Sequence, residues 1–211
     1  MQALRECDPD LTVIVPVYNL ERYIRKLLAS LKDQELGEYG VEFIFVLNNC
    51  TDGSEDVIRS SGLDCEILFC TEQGCGPARN VGMDAARGEF IWFMDGDDWL
   101  LSKTAIRDVI YMAKSNGFNI MRIPFQSDRF AVQYYSMVWQ YIMRREFIDE
   151  FRFPAIQPAE DDAFMAMVLR KAGWDRTTYL LMPQAPSALY FYNYLREGSN
   201  MYRHLILKEK I

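Results

Sequence analysis

The sequence is poor in the residues that build zinc sites. Five cysteines occur among 211 residues, an odd number without a C-x-x-C pair, and His204 is the single histidine. A structural zinc site needs four cysteine or histidine ligands at short spacings, so we do not expect one. Cysteines that remain reduced are typical of the cytoplasm, which is where we expect this protein.

Long apolar runs and an excess of basic residues are also absent. No stretch of about 18 apolar residues occurs, so a transmembrane helix is not expected, and residues 1–10 lack the apolar core of a signal peptide. Acidic residues outnumber basic ones by 30 to 23, for a net charge of −7. We therefore expect no nucleic-acid partner, because proteins that bind mainly to phosphates need a basic surface.

What is present is the composition of a globular protein. Hydrophobic residues make up 50% of the chain and aromatic residues 14%, which excludes disorder as the main state. In the first half, apolar strand patterns alternate with amphipathic helix patterns, and we predict strands over residues 11–17, 41–47, 65–70 and 89–94. Strands that alternate with helices form βαβ units and hence a parallel sheet, at whose carboxyl edge ligands collect.

The second half is less regular. Its apolar patterns predict three strands and two helices, and these cover residues 118–123, 178–182 and 188–195 as strands and residues 137–147 and 160–172 as helices. A last helix is predicted at the carboxyl terminus. No linker, repeat or low-complexity tract divides the chain, so we predict one domain over residues 1–211.

The strongest chemical signal is the acidic turn Asp95-Gly96-Asp97-Asp98, which follows the predicted strand 89–94. Carboxylates two residues apart can converge on one hard cation. Mg²⁺ or Mn²⁺ binds one or two protein carboxylates together with substrate phosphates. The alternative is a polar turn in which Asp97 or Asp98 caps a neighbouring element, and spacing alone leaves both interpretations open.

A second acidic group, Glu160-Asp161-Asp162, begins the predicted helix 160–172. Acidic residues in a first helical turn stabilise the helix dipole by about 0.3–1 kcal/mol, and position alone favours this interpretation. The functional alternative is that one of these carboxylates is a general base, which takes the proton of a substrate hydroxyl.

Two arginines lie where an anion could bind. Arg79 follows the glycine-rich segment 74–76, at which a helix begins and backbone N–H groups can approach an anion. Arg196 follows the predicted strand 188–195, and an arginine there can bind a pyrophosphate. The respective alternatives are a surface arginine and a salt bridge at the end of a strand.

Together these strings resemble glycosyltransferase family two. The resemblance spans about residues 11–200, and the order and spacing of the motifs make it specific: residues 12–19, 48–54, 78–82, 88–100, 152–154 and 160–161. It implies the α/β GT-A fold, a Rossmann-like, mostly parallel sheet flanked by helices. It also implies a nucleotide-binding half over about residues 1–100 and an acceptor-binding half over about residues 101–211.

The resemblance further implies an inverting, metal-dependent transfer of a single sugar from a nucleotide-sugar donor to a glycan or glycolipid acceptor, in surface polysaccharide biosynthesis. Mn²⁺ or Mg²⁺ is the implied cofactor. The C-terminal membrane helices and the Q-x-x-R-W motif of processive synthases are absent, which favours single addition. A lipid-linked acceptor would be reached by peripheral association with the membrane. The alternative is a catalytically degenerate domain that binds a sugar nucleotide or a partner.

The resemblance also assigns roles to individual residues. Asp97 corresponds to the direct metal ligand and Asp95 to a metal or ribose contact. Asp161 corresponds to the catalytic base, with Glu160 beside it. The remaining implied donor contacts are Pro16, Tyr18, Asn19, Asn48, Asp52, Arg79, Gly96, Arg196 and Ser199.

This chain departs from the family pattern at two places. The family commonly has two aspartates where Leu47 and Asn48 stand here. Asn48 can accept a hydrogen bond from a nucleotide base as aspartate does, but it can also donate one. A UDP-sugar is favoured as donor, with the base left open. A histidine that often follows the C-terminal serine is replaced by Tyr202, and His204 lies two residues further on.

Other interpretations share single features with the sequence. An aspartyl phosphatase also has D-x-D after a strand, but after the first strand and with a small or β-branched residue where Trp99 stands. A sugar nucleotidyltransferase would have a basic, glycine-rich loop where residues 18–21 stand. The aromatic residues of the second half form either an acceptor platform or core, and they are Tyr134, Tyr135, Trp139 and Tyr141.

Overall fold

The structure is a computed structural model, and it describes residues 8–127, 137–156, 159–173, 179–181 and 189–193. The strands in these ranges are β1 (Leu11–Val17), β2 (Val41–Asn48), β3 (Glu66–Cys70), β4 (Phe90–Phe93), β5 (Trp99–Leu100), β6 (Ile120–Arg122), β7 (Phe125–Ser127), β8 (Tyr141–Arg144), β9 (Tyr179–Leu181) and β10 (Tyr190–Tyr192). The helices are α1 (Arg25–Lys32), α2 (Ser54–Arg59), α3 (Cys75–Ala85), α4 (Ala105–Asn116), α5 (Arg145–Ile148) and α6 (Glu160–Ala172).

The main sheet has seven strands in the order β3-β2-β1-β4-β8-β6-β9. Strands β3, β2, β1 and β4 are parallel, β8 is antiparallel to both of its neighbours, and β9 is parallel to β6. A smaller sheet has the order β5-β10-β7. The predicted βαβ units and parallel sheet of the first half are therefore confirmed.

Helices cover both faces of the sheet because the central strands are apolar on both faces. All seven residues of β1 are buried. Val13 and Val15 pack in a cluster with apolar residues of α1 and α4, whereas Ile14 packs in another cluster with residues of α3 and α6. Such two-sided burial is typical of parallel strands.

Helix α3 lies close against β1 because Gly82 has no side chain. A Cβ atom added at Gly82 would lie 2.4 Å from Cγ2 of Ile14, which is shorter than any van der Waals contact. This close approach places the first turns of α3 near the carboxyl ends of β1 and β4.

The predicted helix over residues 137–147 is wrong. The segment forms a single 3₁₀ turn over Val138–Gln140, then strand β8 and the short helix α5. Strand β8 lies between β4 and β6, and Tyr141 and Met143 are fully buried. A strand buried on both faces shows no alternation of apolar and polar residues, so its pattern cannot be told from that of a buried helix.

The remaining predicted elements of the described ranges are found within a few residues of their expected ends, as is usual for element boundaries. Of the two interpretations of the aromatic residues in the second half, the structure shows core positions for Trp139 and Tyr141, because both side chains are fully buried. Tyr134, Tyr135 and the predicted C-terminal helix lie outside the described residues. None of the helices in the described parts of the chain combines the length and apolarity needed to cross a membrane.

Candidate active site

The acidic turn lies directly after β4, at the carboxyl edge of the parallel strands. Asp98 is fully buried in this turn: its Oδ2 accepts a hydrogen bond from the Tyr190 hydroxyl at 2.5 Å, and its Oδ1 accepts one from the Asn193 N–H at 2.8 Å. Burial, together with the charges of Asp97 and Asp95, raises the pKa of Asp98 well above its usual value. Asp98 therefore joins the turn to β10.

The other two carboxylates of the turn stay partly accessible. The side chain of Asp95 is 29% exposed, and Asp97 is half-buried. The Asp95 N–H donates to the Tyr190 hydroxyl at 3.2 Å, and the Asn193 side-chain amide donates to the Asp97 carbonyl at 3.2 Å. Tyr190 and Asn193 thus fix the backbone of the turn, and the Asp95 and Asp97 side chains stay partly exposed.

Gly96 is buried in the middle of this turn. A Cβ atom there would lie 2.6 Å from Cδ1 of Leu20, in the loop after β1. The missing side chain lets the two loops touch. Contact between Gly96 and a donor remains a prediction.

A buried arginine lies at the centre of the site. Arg79, in the second turn of α3, has a side chain that is only 4% exposed. Its Nη2 lies 3.0 Å from Oδ1 of Asp95, and its Nη1 lies 2.5 Å from Oδ1 of Asp161. Oε1 of Glu160 is 4.0 Å from the same Nη1. Burial acts to lower the pKa of Arg79, but Asp161 and Asp95 outweigh it and raise that pKa, so the guanidinium stays charged.

Asp161 is the second residue of α6 and is 16% exposed. Its Oδ2 accepts a hydrogen bond from the Val138 N–H at 3.3 Å. Burial raises the pKa of Asp161 to about 6, although the Arg79 guanidinium acts to lower it, and the negative charges of Asp95 and Glu160 add to the increase. Asp161 is thus ionised at neutral pH and basic enough to accept a proton.

Glu160 has an oxygen without a partner. Its side chain is 11% exposed, and Oε2 is one of the few buried side-chain atoms in the described residues that make no hydrogen bond. A buried carboxylate oxygen left unpaired is costly, and an ordered water, an ion or a ligand can supply the missing partner. The catalytic roles of Glu160 and Asp161 remain predictions.

The loop after β1 is joined to the loop after β2. The Asn19 Oδ1 accepts a hydrogen bond from the Thr51 N–H at 2.8 Å, and Asn19 has a φ of 51°, in the left-handed region that asparagine tolerates. Pro16 is the sixth residue of β1, and the Tyr18 ring is 54% exposed at the same edge. Contact of Pro16, Tyr18 and Asn19 with a nucleotide remains a prediction.

Asp52 holds these two loops in place. Its Oδ2 accepts a hydrogen bond from the Glu21 N–H at 3.0 Å, and its Oδ1 accepts from both the N–H and the hydroxyl of Ser54 at 3.0 and 2.5 Å. Burial acts to raise the pKa of Asp52, but the hydrogen bonds from Ser54 and Glu21 outweigh it and hold the pKa below its usual value. A contact of Asp52 with a donor remains a prediction.

Asn48 is buried and already hydrogen-bonded on both sides of its amide. Its Nδ2 donates to the carbonyls of Cys70 and Glu72 at 3.2 and 2.6 Å, and its Oδ1 accepts from the Gly74 N–H at 3.0 Å. Asn48 therefore shapes the loop that leads into α3. An aspartate could not donate these two hydrogen bonds, which gives a structural reason for the departure noted in the sequence. Its contact with a nucleotide base remains a prediction.

Sequence reasoning missed three residues that build the site. Tyr190 and Asn193 fix the acidic turn, and Asn80 binds the Phe153 backbone with both of its side-chain atoms, at 2.9 and 2.8 Å. Their partners lie about 70 to 95 positions away along the chain, so no local pattern reveals the contacts. Arg196, Ser199, Tyr202 and His204 lie outside the described residues, and their assignments remain predictions.

The carboxylate oxygens of Asp95 and Asp97 suit a divalent cation whose remaining coordination positions are filled by a bound ligand. In the described part of the chain, no group of three or more histidine, cysteine or acidic side chains is arranged to hold a metal ion. Asp95 and Asp97 nevertheless present two accessible carboxylates on one turn, and Mg²⁺ or Mn²⁺ is commonly bound by one or two carboxylates plus substrate phosphates. The residues present therefore fit an ion that binds together with a diphosphate.

Comparison with known proteins shows the family of this chain. The family model for glycosyl transferase family 2 matches residues 12–176 of the chain. Over 95 residues, the chain is 40% identical to a putative glycosyltransferase, EpsH, of Bacillus subtilis. This match covers 44% of this chain and 27% of EpsH. Over 97 residues, the chain is 35% identical to the poly(ribitol-phosphate) β-N-acetylglucosaminyltransferase TarS of Staphylococcus aureus. This match covers 44% of this chain and 17% of TarS.

Solved structures show the same architecture. The structure of S. aureus TarS 1–349 in complex with UDP-GlcNAc superposes with a TM-score of 0.79 at 24% identity, covering 92% of this chain and 60% of that one. A mannosyltransferase of Pyrobaculum calidifontis in complex with GDP-Man and Mn²⁺ gives a TM-score of 0.72 at 16% identity, covering 94% of this chain and 61% of that one. The predicted α/β GT-A fold is confirmed. The chain thus spans about a quarter of the curated relative EpsH and 60% of the TarS structure.

Proposed function

The chain belongs to glycosyl transferase family 2, and from that premise we propose that it is an inverting, metal-dependent glycosyltransferase. It moves one sugar from a nucleotide-sugar donor to a glycan or lipid-linked acceptor. A UDP-sugar is the favoured donor, and the acceptor belongs to a cell-surface polysaccharide. The poly(ribitol-phosphate) transferase TarS and a minor teichoic acid biosynthesis protein, GgaB, are among the relatives that support this acceptor class.

One observation carries the proposal. A single buried guanidinium contacts both Asp95 of the acidic turn and Asp161 at the start of α6. The carboxylate proposed to bind the donor and the carboxylate proposed to act as base therefore lie at one place, although 66 positions separate them in the sequence (161 − 95). Such convergence is what a displacement reaction between a bound donor and an activated acceptor needs.

Asp161 would act as the general base. The acceptor hydroxyl gives its proton to a carboxylate oxygen of Asp161 while its own oxygen forms the new bond to the anomeric carbon. The bond from that carbon to the diphosphate breaks, and the nucleoside diphosphate leaves with the bonding electrons. Attack from the face opposite the leaving group inverts the configuration. With a pKa of about 6, Asp161 is ionised at pH 7 and is a stronger base than an ordinary aspartate.

Asp97, together with Asp95, would hold the divalent cation. When bound, such an ion supplies Lewis-acid stabilisation of the negative charge that develops on the leaving diphosphate. The protein fixes the geometry of these ligands through the hydrogen bonds of Tyr190 and Asn193 to the turn.

The loops that contain Pro16, Tyr18, Asn19 and Asp52 would receive the nucleotide at the same edge of the sheet.

A thermal-shift panel tests the donor and metal assignments together. We expect a UDP-sugar, among UDP-, GDP-, CMP- and TDP-sugars, to raise the melting temperature selectively and more strongly with Mn²⁺. A ligand at 100 times its Kd stabilises the folded state by about 2.7 kcal/mol. Asp97→Ala should abolish the Mn²⁺-dependent part, whereas Asp108→Ala, on the surface helix α4, should leave it unchanged.

Two outcomes would change the proposal. Mn²⁺-dependent donor binding that survives in Asp97→Ala would contradict the metal role of Asp97. Donor binding by the wild type without release of a nucleoside diphosphate or transfer of sugar would instead support the degenerate binding domain.

A further inference from the structure

We propose that Arg79 is a positioning residue for the transfer reaction. Its guanidinium bridges the acidic turn after β4 and the start of α6, and so sets the separation between the donor carboxylates and the base. The inference rests on the proposed function, because it takes Asp161 to be the base. It differs from the sequence prediction, in which Arg79 contacts the donor itself.

The geometry of the guanidinium supports a bridge. The two terminal nitrogens contact two different carboxylates, with Nη2 at 3.0 Å from Asp95 and Nη1 at 2.5 Å from Asp161. The side chain is 4% exposed, so little of its surface remains for a ligand. Arginine binds two acceptors through two nitrogens that a rigid, planar group holds apart, whereas the three donors of lysine all lie on one nitrogen at the end of a flexible chain.

Neighbouring residues of α3 extend the same junction. Asn80 donates to the Phe153 carbonyl and accepts from the Phe153 N–H, so it pairs with that backbone in both directions. A Cβ atom at Gly76 would lie 3.0 Å from the Pro154 carbonyl oxygen and 3.4 Å from Cβ of Glu160. Gly76, Arg79 and Asn80 therefore hold Phe153, Pro154 and the start of α6 against α3 by packing, charge and hydrogen bonds.

The charge balance explains why the bridge has to be charged. Three carboxylates, those of Asp95, Glu160 and Asp161, lie within 4.0 Å of one guanidinium. Without that cation, the like charges would repel one another, and the acidic turn and α6 would separate or take up protons. A neutral side chain at position 79 would therefore disturb all three carboxylates at once.

Arg79→Lys is the discriminating variant, because it keeps the charge and loses the bridge. With UDP-N-acetylglucosamine and Mn²⁺ as the probe, we expect kcat for UDP release to fall by about 100-fold, as expected for a misplaced catalytic group, and the donor KM to change far less. Arg59→Lys is the matched control, since Arg59 forms an exposed salt bridge with Glu55 in α2, and it should behave as the wild type. A raised donor KM with unchanged kcat would show that Arg79 binds the donor and would overturn the proposal.

A double-mutant cycle in urea unfolding tests the bridge without any donor. Arg79→Lys, Asp161→Asn and the double variant should show non-additive changes in the free energy of unfolding, because residues in one ion-pair network couple. Additive changes would overturn the bridge. A wild type that releases no UDP would count against the proposed function alone, since the unfolding cycle does not depend on turnover.

Asn80→Ala provides a second variant should Arg79→Lys fail to fold. It removes the two hydrogen bonds to Phe153 and leaves every charge of the cluster in place. We expect a lowered kcat with unchanged UDP binding by calorimetry. An unchanged kcat would overturn the role of this junction in positioning the base.

Discussion

At the scale of single residues, burial and hydrogen-bond partners decide whether a carboxylate of the site supports the fold or can accept a proton. Asp161 and Asp98 are both aspartates at the carboxyl edge of the sheet, yet they have different partners. Asp98 is fully buried and hydrogen-bonded to Tyr190 and Asn193, so it serves the fold. Asp161 is partly accessible and shares a guanidinium with Asp95, so it remains available for proton transfer.

The pKa of Asp161 gives a prediction for the pH dependence of turnover. Burial raises this pKa from 3.8 to about 6, so the carboxylate form is present above that pH and is lost as the pH falls through it. Because the base acts as carboxylate, kcat/KM should be constant above about pH 7 and should fall about tenfold for each pH unit below 6, since kcat/KM reports the pKa of the free enzyme. Steady-state kinetics from pH 4.5 to 8 measure this, with the fold monitored by circular dichroism. A kcat/KM that stays constant down to pH 4.5 would contradict the assignment.

At the scale of secondary structure elements, the first half of the fold could be predicted and part of the second could not. Alternation between apolar strands and helical patterns indicated β1 to β4, and α1 shows the amphipathic pattern clearly, with Leu27, Leu28 and Leu31 buried on one face. Strand β8 was predicted as helix, because a strand buried on both faces shows no alternation of apolar and polar residues. Strands β5 and β7 are two and three residues long, too short to show any pattern.

Helix α3 links fold and site, and Gly82 sets its depth against β1. Gly82→Ala should destabilise the protein by about 1–3 kcal/mol, because the new methyl group overlaps Cγ2 of Ile14. Gly82→Ala should lower the free energy of unfolding by less in an Ile14→Ala background, where Cγ2 of residue 14 is missing. Urea unfolding of the two single variants and the double variant measures the difference. An equal cost in both backgrounds would show that α3 does not pack on β1 as described.

At the scale of the whole molecule, the motif residues could be predicted but not the contacts between them. Asp95, Asp97, Glu160 and Asp161 stand out in the sequence because acidic groups follow a strand or begin a helix. The Arg79 bridge joins residues 82 positions apart, and Tyr190 reaches Asp98 across 92 positions. Only the folded chain brings these residues together, so local patterns carry no information about the pairs.

The proposal assigns donor binding and proton transfer to different side chains. Among the described residues, the loops and the acidic turn that would bind the donor lie before residue 100, whereas Asp161 belongs to α6. The other predicted donor contacts, Arg196 and Ser199, lie outside the described residues. A change confined to the base should therefore affect one activity and spare the other. The substitution Asp161→Asn keeps the size of the side chain and an acceptor oxygen, but the amide cannot take up a proton at neutral pH.

Sugar transfer by Asp161→Asn, measured together with donor binding, is the most direct test of this account. We predict that the variant binds UDP-N-acetylglucosamine with Mn²⁺ as the wild type does and loses turnover by about 10²–10⁴-fold. Asp162→Asn, one position along the same helical turn, is the matched control and should retain wild-type turnover. Wild-type turnover in Asp161→Asn would contradict the account, because the proton of the acceptor would then be taken by another group.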